Sequence, residues 1–178
     1  MRPARTGVEA LLVALKEHGG IVASLLDDSS PSGYDDRPGP AQIAAAGPRA
    51  ASAPEEYELL LEMILEGSHL HYGPQRVVRT PDPDLALLIG DQLYALGLAR
   101  LAALADLEAV AELADVISLV AEAHAGSDPA LAAAVWEAGA VAIGWGADRR
   151  HQAAKELART GAARAAMALR EAAAAASS

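Results

Sequence analysis

The sequence is most strongly constrained by a set of repeated helix-start signals. Asp82-Pro83-Asp84 combines a capping aspartate, a proline at the first helical position and a following acid, an arrangement that favours the start of a helix. Asp128-Pro129 repeats this signal, and Asp106 and Asp148 stand as capping residues before two further segments. The spacing of these helix starts predicts helices joined by short loops, so neighbouring helices should run antiparallel in a bundle.

The composition also favours helix over sheet. Alanine and leucine, the strongest helix formers, dominate the chain, and it contains no phenylalanine. Few β-branched residues alternate with polar ones, so the pattern gives little support for strands. We therefore predict an all-α fold. Its first helix spans about Thr6–Leu26 with a potential break at Gly19-Gly20, and its second starts after Pro54 and ends near Gly67–Leu70.

Three parts of the chain differ in composition. Residues 1–27 are predicted to form an N-terminal helix, and residues 55–178 a helical bundle domain. Residues 28–54 are rich in proline, serine and glycine. Since a structureless loop of this length is uncommon within a compact domain, we interpret it as a linker or a lid, with a short helical turn at Ala41–Ala46.

Charge and cysteine content exclude several classes of protein. The net charge of −10 argues against nucleic-acid binding, which requires a basic surface. No cysteine is present, so disulfides and cysteine metal sites are excluded.

The N-terminus lacks the apolar stretch of a secretory signal, which favours a cytoplasmic location. Ala130–Ala147 is apolar apart from Glu137, but its alanine and glycine content predicts a tightly packed, buried helix rather than a transmembrane segment.

The segment Leu85–Leu98 carries a family resemblance. It reads Leu-Ala-Leu-Leu-Ile-Gly-Asp-Gln-Leu-Tyr-Ala-Leu-Gly-Leu, and this order resembles a helix of the trans-isoprenyl diphosphate synthases (the polyprenyl synthetase family). Leu113–Ser118 and Gly139–Gly144 resemble the next two helices of that family. The likeness covers about Tyr57–Gly161. It implies an antiparallel helical bundle of the isoprenoid-synthase type.

The same segment has a physical interpretation of its own. Gly90 and Gly97 lie two helical turns apart, so they mark one face on which another helix can approach closely. Asp91 lies in an apolar helix, and an unpaired buried carboxylate is very costly. We therefore expect Asp91 to be buried and to tie two helices together.

The metal-binding motifs of the family are missing. Its members hold diphosphate through Mg²⁺ ions bound by two aspartate-rich motifs. The position of the first motif reads Glu66–Gly73 here and contains no aspartate pair, and no second motif follows the sixth predicted helix. Asp27-Asp28 and Asp35-Asp36 stand in the wrong order, and the family's basic diphosphate-binding segment is also missing. The resemblance therefore implies a shortened, non-catalytic member without a cofactor. Such a protein would bind a prenyl chain or prenyl diphosphate, or pair with a catalytic prenyltransferase subunit or with itself.

Two alternatives stay open at this stage. In the first, the chain is an active small prenyltransferase in which Asp91, Glu66 and two histidines replace the missing Mg²⁺ site. In the second, it is a scaffold bundle with no small ligand, and no pocket separates the second and third predicted helices.

Polar residues are densest just after the second predicted helix. Arginine there can donate paired hydrogen bonds to a phosphate or carboxylate, although a capped helix end followed by a polar loop has the same composition. Glu66 and His69 match a Glu-x-x-His metal element, but no second such element occurs, so no metal site is predicted. The ligand-binding candidates are Glu66, His69, His71, Tyr72, Arg76, Arg79 and Asp91.

The last part of the chain carries an unusual number of basic residues. We interpret them as a solvent-exposed helix face. His151 is interpreted as a helix-end residue with no metal-binding partner. The basic residues are Arg149, Arg150, Lys155, Arg159, Arg164 and Arg170.

Overall fold

The computed structural model describes residues 7–27 and 38–177, and this part of the chain is helical. The predicted all-α class is therefore confirmed. The helices are α1 (Gly7–His18), α2 (Gly20–Ser24), α3 (Pro40–Ala46), α4 (Pro54–Tyr72), α5 (Pro83–Ala103), α6 (Leu107–Ala125), α7 (Pro129–Trp145), α8 (Arg149–Arg159) and α9 (Ala165–Ala176), with a 3₁₀ turn at Pro48–Ala50.

Local sequence sets most of the helix boundaries. Asp82, Asp106, Asp128 and Asp148 each accept a hydrogen bond from a backbone N–H group in the first turn of α5, α6, α7 and α8. These contacts satisfy N–H groups that have no partner within the helix. The four predicted helix starts are confirmed.

One predicted break is confirmed and one predicted boundary differs from the structure. The first predicted helix is divided into α1 and α2 at Gly19-Gly20, as predicted, because Gly19 and Gly20 have positive φ angles of 74° and 68°, a conformation open mainly to glycine. The second predicted helix continues through Gly67 to Tyr72 rather than ending near Gly67–Leu70. Gly67 does not end α4, because it is the position at which α5 approaches.

The chain divides into two compact units, which we describe separately. The first unit comprises Met1–Ala41 and Glu55–Leu104, and the second comprises Gln42–Pro54 and Ala105–Ser178. The sequence predicted a linker or lid over residues 28–54. Residues 42–54 instead belong to the second unit, with Ala44 and Ala50 fully buried, and residues 28–37 lie outside the described part of the chain.

In the first unit, α1, α4 and α5 share an apolar core. The segment after α4 closes it through a short antiparallel pairing, in which Asp27 N donates to Val77 O and Arg79 N donates to Leu25 O, each at 2.9 Å. The buried residues of this core are Val8, Leu11, Leu15, Val22, Met63, Leu70, Val77, Val78, Ala86, Ile89 and Leu93.

Helices α4 and α5 approach each other closely at glycines. A Cβ atom on Gly67 would lie 2.9 Å from Gly90 O, and one on Gly97 would lie 2.5 Å from Cγ1 of Ile64. Neither distance leaves room for a methyl group. The close approach predicted for Gly90 and Gly97 is thus confirmed.

In the second unit, α7 lies between α6, α9 and the 3₁₀ turn. Most of its residues are buried, including Trp136, as predicted for this helix of small residues. Gly139 is covered by Val116 of α6, and the backbones of Gly47 and Gly144 are in direct contact. Small residues on α7 therefore let three other segments reach its backbone.

Candidate functional site

The predicted polar cluster divides into separate groups of contacts, the first of which is centred on Glu66. This side chain is completely buried. Its Oε1 accepts from the backbone N–H groups of Val77 at 2.9 Å and Val78 at 3.0 Å. Its Oε2 accepts from Nε of Arg76 at 3.0 Å, and Arg76 also donates to Glu62 at 2.6 Å. The carboxylate therefore fastens the chain that follows α4 back onto that helix.

Arg76 is shared by two carboxylates, and backbone N–H groups provide the remaining donors to Glu66. Burial alone would lower the pKa of Arg76, but Glu62 and Glu66 outweigh this effect and raise the pKa above its usual value. Glu66 already accepts from three N–H donors. The contacts that the structure gives Glu66 and Arg76 are thus internal to the fold, and a ligand-binding role for them stays a prediction.

The second group is centred on His71, at the end of α4. Its ring stacks on Tyr94 of α5, with centroids 5.3 Å apart and planes 9° from parallel, and it also contacts Tyr72. Its Nε2 lies 3.0 Å from Oδ1 of Asp91. This is an ion-pair distance, but the geometry is not that of a hydrogen bond. Of the seven candidates, His71, Tyr72 and Asp91 are therefore neighbours.

Asp91 was predicted to be buried and to link two helices, and only the second prediction agrees with the structure. Its side chain is 70% exposed rather than buried, because it lies on the outward face of α5. It nevertheless links α5 to α4 through His71, as predicted. Gly90 makes this contact possible, since a Cβ atom there would lie 2.6 Å from Cδ2 of His71. In the Gly-Asp pair, one residue makes room for the histidine and the other contacts it.

Tyr94 completes the second group. Burial raises its pKa to about 12, although a hydrogen bond with Ser68 opposes this shift. The phenol is therefore neutral at ordinary pH, and it provides a flat apolar surface for His71.

The other two candidates are Arg79 and His69. Arg79 Nε is 2.5 Å from Oδ2 of Asp27, in the short antiparallel pairing of the first unit. His69 lies in the last turn of α4 beside Gly73, whose Cβ would be 2.8 Å from Nδ1. Across residues 7–27 and 38–177, no group of three or more histidines and carboxylates is arranged to hold a metal ion.

A second polar network, between α6 and α8, was missed by the sequence prediction. The buried Glu112 accepts from Lys155 Nζ at 2.6 Å and lies 2.6 Å from Nε2 of His151. Because a carboxylate can only accept, Nε2 of His151 carries the hydrogen. Lys155 also donates to Asp115 at 2.6 Å, and Asp115 pairs with Arg159 at 2.7 Å. We call these five residues the α6/α8 network.

The interpretation of Lys155 was wrong, because Lys155 is 3% exposed rather than on a solvated face. His151 lies in the first turn of α8, as predicted, but it is only 5% exposed and contacts Glu112. The sequence spacing did indicate that the two residues share a face of α8, since they are one helical turn apart. Glu112 and Asp115 share a face of α6 for the same reason. Sequence did not show that these two pairs face each other.

A cleft of about 400 Å³ adjoins the α6/α8 network. At its edge Arg49 donates to Asp106 at 2.8 Å and to Glu108 at 2.6 Å. Lys155 and Glu112, which also line the cleft, are paired with each other. Because these charges have opposite partners within the unit, the geometry indicates a structural role for the network. The lining residues are Arg49, Glu108, Ala109, Ala111, Glu112, Asp115, Ala142, Ala147, Gln152 and Lys155.

Asp115 gives the second unit a pH dependence. Burial alone would raise its pKa, but hydrogen bonds from Lys155 and Arg159 outweigh this effect and hold the pKa below 3.8. Because the folded state has the lower pKa, the stabilisation is present above about pH 4 and is lost as the pH falls through the folded pKa.

At neutral pH we expect the free energy of unfolding to be larger for the wild-type chain than for Asp115→Asn. This difference should shrink as the pH is lowered. Urea unfolding across the acid range measures this, and a difference that grew on acidification would contradict it.

Comparison with known proteins does not assign the chain to a family. No protein-family model matches it, and neither a curated protein nor a solved structure does. Any function for this chain is therefore argued from its own residues and from the resemblance of its helices in sequence.

Proposed function

We propose that this chain is a non-catalytic protein of the isoprenoid-synthase type that acts as an accessory subunit of a prenyltransferase. The order of its family-like helices supports the type. The segment Glu66–Gly73, which stands at the place of the first aspartate-rich motif, has no aspartate pair, and this supports the lack of catalysis. One observation carries the accessory role. Helix α5 packs closely against α4 on its inner face, and its outer face exposes two leucines together with Asp84 and Asp91.

The inner face leaves no space for a prenyl chain at two levels along the helices, one at Gly67 and Gly90 and the other at Gly97. A Cβ atom on Gly67, Gly90 or Gly97 would lie 2.5–2.9 Å from atoms of the opposite helix. A methyl group is already too large there, and a prenyl chain is branched with methyl groups. This packing argues against prenyl binding between these helices, and both the accessory role and the scaffold alternative are consistent with it.

The outer face of α5 has the character of an interface. Leu88 is 66% exposed and Leu87 43% exposed. The helix is long and apolar enough in composition to span a membrane, yet only 33% of its most apolar stretch is buried. Adjacent exposed leucines on such a helix form an apolar surface of the kind that marks a binding site. We call this surface, with Asp84 and Asp91 beside it, the α5 face.

The charges beside the leucines indicate the chemistry of the partner. Asp84 and Asp91 are both exposed on α5. A helix that presents apolar residues flanked by lysine or arginine would complement them. A second copy of the chain would instead bring another net charge of −10 to the contact. The α5 face thus favours a different, basic-flanked protein over self-association.

Binding of a catalytic subunit is tested by mixing the chain with a prenyltransferase from the same genome that carries the aspartate-rich motifs. We expect a defined complex by light scattering and a changed product chain length. Leu88→Glu should weaken the complex. Leu107→Glu, at the exposed first residue of α6, is the matched control and should not. Binding that is unaffected by Leu88→Glu, or binding to lipid vesicles in its place, would contradict the proposal.

The competing functions are separated by calorimetry with farnesyl diphosphate and farnesol, each with and without Mg²⁺. We expect neither ligand to bind the isolated chain. Binding of the diphosphate that requires Mg²⁺ would favour an active prenyltransferase. Equal binding of both ligands without metal would favour a prenyl-binding subunit. If neither ligand nor any prenyltransferase bound, the scaffold alternative would stand.

A further inference from the structure

The basic residues in and beside α8 and α9 fall into two sets. Lys155, Arg159 and Arg170 all contact carboxylates. Within the described part of the chain, Arg149, Arg150 and Arg164 make no hydrogen bond or ion pair through their side chains, and all three are exposed to solvent. Arg150 and Arg164 differ from Arg149 because they lie beside one groove.

Both arginines line the same groove. It is an open groove between α8 and α9 with a volume of about 400 Å³. Glu171 also lines it. The other lining residues are apolar: Ala153, Ala154, Leu157, Ala168 and Ala172. We call this feature the α8/α9 groove.

We propose that the α8/α9 groove binds a small carboxylate that carries an apolar chain. The proposal goes beyond the accessory role of the α5 face and does not depend on it. A guanidinium group presents parallel N–H donors that match the two oxygens of a carboxylate. The alanines and Leu157 provide an apolar surface that removes a hydrocarbon chain from water.

The charge balance of the groove favours a carboxylate over a phosphate. Arg150 and Arg164 supply two positive charges and Glu171 one negative charge, so one net positive charge remains. A carboxylate with a single negative charge neutralises it. A phosphate monoester, with nearly two charges at neutral pH, would leave an excess negative charge beside Glu171.

The chain offers a matched control for this site. Arg149 is adjacent to Arg150 in sequence and is exposed, but it does not line the groove. Neutralising Arg149 changes the net charge of the protein by the same amount as neutralising either groove arginine. All three side chains are exposed, so none of the glutamine variants removes a buried contact.

The test is calorimetric titration of the full chain with octanoate, comparing wild type with Arg150→Gln, Arg164→Gln and Arg149→Gln. We expect binding to wild type and to Arg149→Gln, with about a tenfold or greater loss for the other two, the usual effect of losing a hydrogen bond between charged groups. Octanol and inorganic phosphate are the ligand controls, and we expect both to bind at least tenfold more weakly than octanoate.

Several outcomes would overturn the assignment. Octanol binding as well as octanoate would show an apolar groove without a carboxylate site. Tighter binding of inorganic phosphate would make it a general oxyanion site. An equal loss in Arg149→Gln would mean that overall charge, rather than the groove, attracts the ligand. No binding of octanoate to the wild-type chain would remove the proposal altogether.

Discussion

Replacing Glu66 by leucine is expected to destabilise the first unit by about 3–5 kcal/mol, the usual cost of removing one partner from a buried ion pair. The substitution leaves the buried N–H groups of Val77 and Val78 without an acceptor and takes one of the two carboxylates away from Arg76. Glu66→Gln should cost less, because an amide oxygen can still accept from both N–H groups.

Urea unfolding followed by circular dichroism measures the loss, and amide hydrogen exchange locates it. The N–H groups of Val77 and Val78 should lose protection in Glu66→Leu and keep more of it in Glu66→Gln. Glu55→Leu, at an exposed position on the same helix, is the control and should change stability little. Equal effects of Glu66→Leu and Glu55→Leu would show that Glu66 does not fasten this segment.

Replacing Glu112 by leucine is expected to cost the second unit a similar amount, about 3–5 kcal/mol. The change leaves the ring N–H of His151 without its acceptor and leaves Lys155 with Asp115 alone. Adding Lys155→Met should restore part of the loss, since exchanging a whole buried ion pair for apolar side chains is often neutral.

Tryptophan fluorescence during urea unfolding reports on this unit, because both tryptophans lie in α7. A double-mutant cycle of Glu112→Leu and Lys155→Met gives the coupling energy of the pair. Glu108→Gln is the control, since its side chain is 79% exposed. Simple addition of the two single losses would mean that the charges are not coupled.

Local sequence was sufficient to predict the secondary structure because its causes are local. Each capping aspartate bonds to N–H groups within the next turn, so the starts of α5 to α8 could be predicted without knowledge of the fold. The glycine spacing on α5 likewise predicted the face that another helix approaches. The boundary of α4 was harder, because Gly67 serves as a helix breaker or as a contact point according to what packs against it.

The candidate site could be predicted only in part. His71 and Tyr72 were chosen for the density of polar residues around them and Asp91 for its position after Gly90 in an apolar helix, and the three are neighbours in the structure. Arg76 was chosen from the same dense segment and Glu66 from the motif position, but they bond to each other, and Glu66 also bonds to the backbone. Composition can show that polar residues are close along the chain, but it does not show which of them satisfy one another.

Local sequence is enough to specify the all-helical class, the helix starts and the glycine face of α5, since propensity, capping and periodicity act within a few residues. Which charges are buried depends instead on how the helices pack. Lys155 was predicted to be exposed and is buried, whereas Asp91 was predicted to be buried and is exposed. Burial depends on the helix that packs opposite, and that helix is distant along the chain. Whether a lysine is a surface charge or a buried partner is fixed by a carboxylate some 40 positions away, as it is here for Lys155 and Asp115.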